Sequence, residues 1–126
     1  MDLKEGDVHS AARAQDFERT VTALSILAGC PIELAERAVL NENPGPLQVV
    51  AKVAGCSWAT TKTLLLMDVA DRKMSKPEID RARVHFDALE WKTAKRVLEF
   101  HEARRNTQGS QPVAAGQSAE MQALAG

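Results

Sequence analysis

Ala28-Gly29-Cys30 is a tripeptide that recurs as Ala54-Gly55-Cys56, and each copy lies between two helical runs of apolar residues. Glycine commonly ends a helix because it adopts the left-handed conformation that other residues avoid. A second helix can begin directly after each copy, since Pro31 suits a first helical turn and Ser57 can cap a helix N-terminus. The repeat therefore predicts two matching helix–turn–helix units, 26 residues apart.

Apolar residues recur every three or four positions around these tripeptides and again further along the chain, as on one face of a helix. Two capping boxes, Ser75 with Glu78 and Asp87 with Glu90, mark the starts of the last two helices. The pattern predicts an all-α fold of about six helices, arranged as three stacked helical hairpins in a HEAT-like or helix-turn-helix-like bundle. The residues predicted to face the core are Phe17, Val21, Leu24, Ala28, Ile32, Ala35, Val39, Leu47, Val50, Ala51, Ala54, Trp58, Thr61, Leu64, Leu65, Ile79, Ala82, Phe86, Trp91, Ala94, Leu98 and His101.

Polar composition marks both ends of the folded region. Residues 1–9 lack apolar periodicity and are predicted to be a flexible N-terminus, whereas residues 10–105 are predicted to form a single helical domain. The segment 106–126 is rich in Gln, Ser, Gly, Pro and Ala and is predicted to be a disordered tail. Within the domain, the turn-forming run Asn41–Pro46 separates the first two hairpins.

Composition narrows the classes of function. The 126 residues carry a net charge of −1, so the chain as a whole does not attract nucleic acid or anionic membrane, and such binding would need a local patch. No apolar run is long enough to cross a bilayer and the N-terminus lacks the features of a signal peptide, which predicts a cytoplasmic protein without membrane contact. In that compartment the two cysteines are expected to be free thiols.

The segment 47–67 also resembles the helix-turn-helix of bacterial repressors. In that motif a small residue is followed by Ala-Gly at the turn and then by a second helix. A Thr-rich second helix can offer short polar side chains to base edges. The segment departs from that pattern at Thr61, where an apolar residue normally anchors the recognition helix. The candidate DNA-binding residues are Lys52, Ser57, Trp58, Thr60, Lys62 and Thr63, with further phosphate contacts from Arg72 and Lys73 and opposing charges at Asp68 and Asp71.

A tight helical hairpin explains the same pattern, and it is the interpretation we favour. The matching turn at Gly29 is followed by Glu33, Glu36 and Arg37. The two carboxylates would be repelled by DNA phosphates. Because both units share one turn, the turn itself does not require DNA binding.

No residues in the sequence have the spacing of a metal or catalytic site. Structural zinc sites use paired ligands at short spacing, and the chain has neither C-x-x-C nor H-x-x-x-H. Cys56 follows a turn near a helix N-terminus, but no histidine close in sequence can act as its base. We therefore expect no metal, no cofactor and no enzymatic activity, with the cysteines packed against neighbouring helices. The residues considered for zinc are Cys30, Cys56, His9, His85 and His101.

Three segments, together with Arg104, carry a resemblance to a known family: Leu27–Arg37, Val53–Thr60 and Ala94–Phe100. On these residues, the run from position 23 to position 105 is similar to the C-terminal part of a family of uncharacterised, mostly alphaproteobacterial proteins, domain of unknown function 2336. The resemblance implies a helical fold and a bacterial origin. It supplies no reaction and no catalytic residues.

These observations favour a non-enzymatic helical module that binds another protein, or a second copy of itself, in a bacterial regulatory setting. The first alternative is a DNA-binding transcriptional regulator that uses the helix-turn-helix at 47–67. The second alternative is a small-molecule-binding protein or an enzyme with a site between hairpins. The two alternatives differ in where the site would lie: on the outer face of the Ser57 helix, or in a cavity between helices.

Overall fold

The structure, a computed structural model, describes residues 3–69 and 72–110, with side chains as far as Arg104. Within these residues it contains seven α-helices and no β-strand, which confirms the all-α prediction and adds one helix to the predicted six. The helices are α1 (Glu5–Arg13), α2 (Phe17–Ala28), α3 (Ile32–Leu40), α4 (Gly45–Ala54), α5 (Trp58–Leu65), α6 (Lys76–Ala88) and α7 (Trp91–Ser110).

The additional helix corrects the prediction of a flexible N-terminus over residues 1–9. The Asp7 carboxylate accepts a hydrogen bond of 2.8 Å from the Lys4 N–H and so closes the first turn of α1. Val8, Ala11 and Ala12 have the spacing of one helical face and are buried. The sequence pattern missed this helix because a single large apolar residue, Val8, supplies most of its buried face.

Both Ala-Gly-Cys tripeptides form the left-handed turns that the sequence predicts. Gly29 has φ 68° and Gly55 has φ 84°, in the region that favours glycine. The N–H of Cys30 donates to the Ser25 carbonyl at 3.1 Å, and that of Cys56 donates to the Ala51 carbonyl at 3.0 Å. Each bond reaches back five residues, which is the Schellman pattern of a helix C-terminus. The two units therefore share backbone geometry as well as sequence.

Helix α4 lies at the centre of the fold. It packs against α2, α3, α5, α6 and α7, while α1 packs against α2 and α5. Leu47 of α4 is fully buried, and Gln48 donates a buried hydrogen bond of 2.6 Å to the Ala82 carbonyl of α6. Helix α7 packs against α4 rather than against α6, its neighbour in sequence, so the predicted stack of three hairpins is not confirmed.

A buried arginine connects the C-terminal ends of α3 and α5. Arg72 as a whole residue is 8% exposed in the folded chain. Burial lowers the pKa of its guanidinium from the ordinary value, although arginine keeps its charge in proteins. Its donors bind carbonyls in the last turns of the two helices, where intrahelical partners run out, and the Leu64 carbonyl also accepts from the Met67 N–H at 3.3 Å. The accepting carbonyls are those of Val39 at 3.1 Å, Asn41 at 2.6 Å, Leu64 at 3.2 Å and Leu65 at 3.2 Å.

The inward position of Arg72 corrects its assignment as a phosphate contact in the helix-turn-helix interpretation. Its hydrogen bonds to described residues all go to helix-end carbonyls, so the side chain is not presented to a ligand outside the fold. Lys73 beside it is exposed. Asp71, which was expected to oppose phosphate binding, lies outside the described residues.

The last helix extends beyond the predicted end of the helical domain. Helix α7 continues to Ser110, past the tail boundary that the sequence placed at Asn106. The rest of the predicted tail, residues 111–126, lies outside the described residues.

Candidate functional site

The six candidate DNA-binding residues do not share one free helix face. Helix α5 packs between α1 and α6 as well as against α4. Thr60 is buried, with its Oγ1 atom 3.2 Å from His9 Nδ1 of α1. Ser57 is exposed, but its hydroxyl accepts a hydrogen bond from the Thr60 N–H at the start of α5. These two residues therefore have structural partners within the protein.

Lys52 and Trp58 face α6. The Lys52 Nζ atom lies 3.9 Å from the centre of the Phe86 ring, at cation–π distance, and the Trp58 and Phe86 ring centres are 5.9 Å apart. The Thr63 hydroxyl donates to the Ala59 carbonyl at 3.0 Å, as threonines within helices often do. Lys62 is exposed on α5. Most of the residues that suggested a recognition helix therefore pack against other helices or form hydrogen bonds within α5.

Glu5 of α1 provides a carboxylate at the N-terminus of α5. Its Oε2 atom accepts a hydrogen bond from the Ser57 N–H, where the helix dipole favours negative charge. Burial by itself would raise the pKa of the Glu5 carboxyl. Hydrogen bonds from Ser57 and Thr60, with nearby His9, stabilise the carboxylate and bring this pKa below its ordinary value. The first Ala-Gly-Cys unit has a proline at the equivalent cap, Pro31.

Both cysteines are buried free thiols, which confirms the prediction that they are unpaired packing residues. Burial, with a smaller contribution from Glu5, raises the pKa of the Cys56 thiol to about 12. Burial also raises the pKa of Cys30, and Glu102 adds to that effect. Over the described residues, no three His, Cys, Asp or Glu side chains are grouped so that they could hold a metal ion.

We expect the native chain to react very slowly with a thiol-specific aromatic disulfide at mildly alkaline pH. A pKa of about 12 instead of 9 keeps the Cys56 thiol protonated and lowers its thiolate fraction roughly a thousandfold, and only the thiolate attacks. The released chromophore, followed by absorbance with and without urea, checks this. The unfolded chain should react at both cysteines at once. Rapid release of one equivalent from the native chain would contradict the buried position.

A groove lies between α3 and α7, with α4 as its floor. Both flanking helices pack against α4, and the open groove between them has a volume of about 550 Å³. Most of its lining is aliphatic. The aliphatic lining residues are Leu34 and Ala38 on α3, Pro46, Val49 and Val50 on α4, and Val97 and Leu98 on α7.

The polar residues that line this groove are basic or neutral. Arg37 and Asn41 belong to the α3 side, and His101 and Arg104 belong to the α7 side. The guanidinium carbon of Arg104 lies 5.8 Å from the centre of the Phe100 ring. We call this surface, formed by the aliphatic residues above and these four polar ones, the α3–α4–α7 groove.

Sequence reasoning did not identify the groove. It named Arg37 only in the argument against DNA binding and placed His101 on the buried face of the last helix, whereas both line the groove and are exposed. The sequence feature that could have indicated the groove is a second set of apolar positions on α3 and α7, beside the core-facing ones. Leu34 and Ala38 are four residues apart on α3, and Val97 precedes His101 by four on α7. Helices with two apolar faces have more than one packing surface.

A second cavity, of about 490 Å³, lies at the junction of α4 and α6. Glu42 and Glu78 line it together with Lys73, Arg81 and His85. Charges of both signs are therefore mixed around its lining, and the Arg72 guanidinium that also borders it is already bonded to helix-end carbonyls. The α3–α4–α7 groove, which is larger and more apolar, is the better candidate site.

Fold and groove together define an all-α protein with an apolar surface groove walled by three helices. No described helix is long and apolar enough to cross a membrane. The chain belongs to a bacterial family, described as an uncharacterised protein conserved in bacteria (DUF2336), whose profile matches residues 2–99. The match includes α1, which the resemblance over positions 23–105 had left out. No curated protein and no solved structure matches the chain.

Proposed function

We propose that this protein is a non-enzymatic interaction module, and that its α3–α4–α7 groove binds the apolar face of an amphipathic helix from another protein. The observation that carries the proposal is the groove itself: aliphatic side chains from three helices line a recess that opens at the surface, and Leu34, Val49 and Val97 are only partly buried there. Exposed apolar recesses of this kind commonly mark binding sites in soluble proteins.

The dimensions of the groove suit a helix. Leu34 to Asn41 on one wall and Val97 to Arg104 on the other each span about 10 Å of helix axis, which corresponds to roughly two turns. Helix-in-groove recognition uses apolar anchors at three- and four-residue spacing, and two turns present two or three of these anchors. A cavity of about 550 Å³ has room for such side chains.

Of the two alternative functions, DNA binding would use a surface outside the groove, and small-molecule binding would use the groove with a different occupant. DNA reading needs the outer face of α5, where Thr60 is buried against α1 and Trp58 packs on Phe86 of α6. A small apolar ligand would occupy the same groove as a helix. An experiment that identifies the occupant by its covalent adduct therefore separates the helix from both alternatives.

Site-specific photocrosslinking tests the proposal. The full chain carries a benzophenone amino acid in place of Val49, on the groove floor, or in place of Ala59, exposed on α5, as the matched control. After irradiation in a lysate of the source organism, we expect the Val49 probe to form an adduct with a protein segment whose sequence is an amphipathic helix. The Ala59 probe should not form it. A Val49 adduct with a small molecule, or none above the Ala59 level, would overturn the proposal.

A further inference from the structure

The charges around the α3–α4–α7 groove have one sign. Arg37, His101 and Arg104 line it, and no aspartate or glutamate is among the described residues of its lining. The chain as a whole is nearly balanced, with 16 Lys and Arg against 17 Asp and Glu. A purely basic rim is therefore a local feature of the groove and does not follow from the overall composition.

Three described surface cations pair with a carboxylate, whereas the two arginines of the groove, like most other described cations, do not. Elsewhere Arg19 lies 3.9 Å from Asp16. Two further basic residues pair along α6, at 3.2 Å for Lys76 with Asp80 and 3.7 Å for Arg83 with Asp87. By contrast, the groove arginines form no ion pair with any residue whose side chain the structure describes. Their guanidinium groups are available to a carboxylate from outside the chain.

Resting on the function proposed above, we infer that the partner helix is acidic, with carboxylates on both sides of its apolar stripe. One side of that helix would meet Arg37 on the α3 wall, and the other would meet Arg104 on the α7 wall. Guanidinium groups bind carboxylates through two parallel hydrogen bonds, so this arrangement also fixes how the helix is rotated in the groove. Electrostatic complementarity of this kind sets partner choice and association rate.

The aliphatic floor distinguishes this partner from other polyanions. A nucleic acid presents phosphates without an apolar face to fill the space over Val49 and Val50, and the described groove lining has no Phe, Tyr or Trp on which successive bases would stack. An anionic membrane surface is too flat to enter a recess between two helices. An acidic amphipathic helix satisfies both the apolar floor and the basic walls.

Charge reversal combined with the Val49 crosslinking probe tests this inference. The full chain carries Arg37→Glu and Arg104→Glu, and its matched control carries Arg19→Glu and Lys62→Glu, which change the charge equally at exposed positions outside the groove. We expect the adduct yield to fall at least about tenfold in the first variant and to stay within about twofold in the control, because each reversed charge replaces attraction by repulsion. Circular dichroism confirms that each variant is folded. Arg37→Gln with Arg104→Gln, which removes charge without reversing it, should give an intermediate yield.

The outcomes separate this inference from the proposed function. If the Val49 adduct is an amphipathic helix whose yield is unchanged by charge reversal, or whose flanks carry more Lys and Arg than Asp and Glu, the acidic partner is wrong and the groove function stands. If the adduct is a nucleic acid or a lipid, or if no adduct forms in any variant, both are wrong. An acidic flanking sequence together with a tenfold loss supports both.

Discussion

Replacement of Arg72 by methionine is expected to lower the free energy of unfolding by about 3–5 kcal/mol. The guanidinium donates to four carbonyls at the ends of α3 and α5, and methionine fills similar volume without any donor. Each buried carbonyl that loses its donor costs about 1–3 kcal/mol. Part of this sum is offset because methionine, unlike arginine, brings no charge into the protein interior. Urea denaturation followed by circular dichroism measures the change.

Two further variants show which property of Arg72 matters. Arg72→Lys keeps the positive charge near the helix C-termini but replaces the planar fork with one ammonium group, so we expect it to recover less than half of the loss. Lys73→Ala removes an exposed charge next to it and should change stability by less than about 0.5 kcal/mol. If Arg72→Met costs less than about 1 kcal/mol, the arginine does not connect the two helix ends as described.

Leu47→Ala is expected to lower the free energy of unfolding by about 2–5 kcal/mol. Leu47 is fully buried on α4, which contacts five other helices, so its removal leaves a cavity that no single helix can move to fill. The cost combines the lost transfer free energy of the side chain with the cavity that remains. Denaturant unfolding of the full chain measures it.

Leu40→Ala is the matched control for this substitution. Leu40 lies at the end of α3 and is 47% exposed. The same change of side chain there should cost less than about 1 kcal/mol, since much of the apolar area is already in water. Equal losses for the two variants would contradict a central position for α4.

Local sequence signals predicted the turns and most of the helices. Gly29 and Gly55 have the left-handed conformation because glycine, followed by the hydrogen-bonding N–H of a cysteine, ends a helix by local geometry alone. Ser75 and Glu78 form the predicted capping box for the same reason. Helix α1 was missed because its stability depends on burying Val8 against other helices, and tertiary packing of this kind leaves little trace in a short sequence window.

The candidate site depends on contacts between helices that are distant in sequence. Val49 and Val97 are apolar positions outside the core-facing stripes, and they form one groove only because α7 packs on α4 instead of on α6. Similarly, the sequence of α5 fits both a recognition helix and a packed helix. Because α5 lies between α1 and α6, Thr60 is buried beside His9. Neither of these flanking helices belongs to the segment 47–67 that carries the helix-turn-helix pattern.

The direct test of the groove as the binding site is nuclear magnetic resonance mapping with the partner segment that crosslinking identifies. The isotope-labelled full chain is titrated with a synthetic peptide of that segment. We predict that the largest amide shifts occur at residues 34–41, at the C-terminal end of α3, at 46–50 of α4 and at 97–104 of α7, where the groove lining lies. Shifts centred on α5, or shifts spread evenly over the protein, would contradict a binding site between α3 and α7.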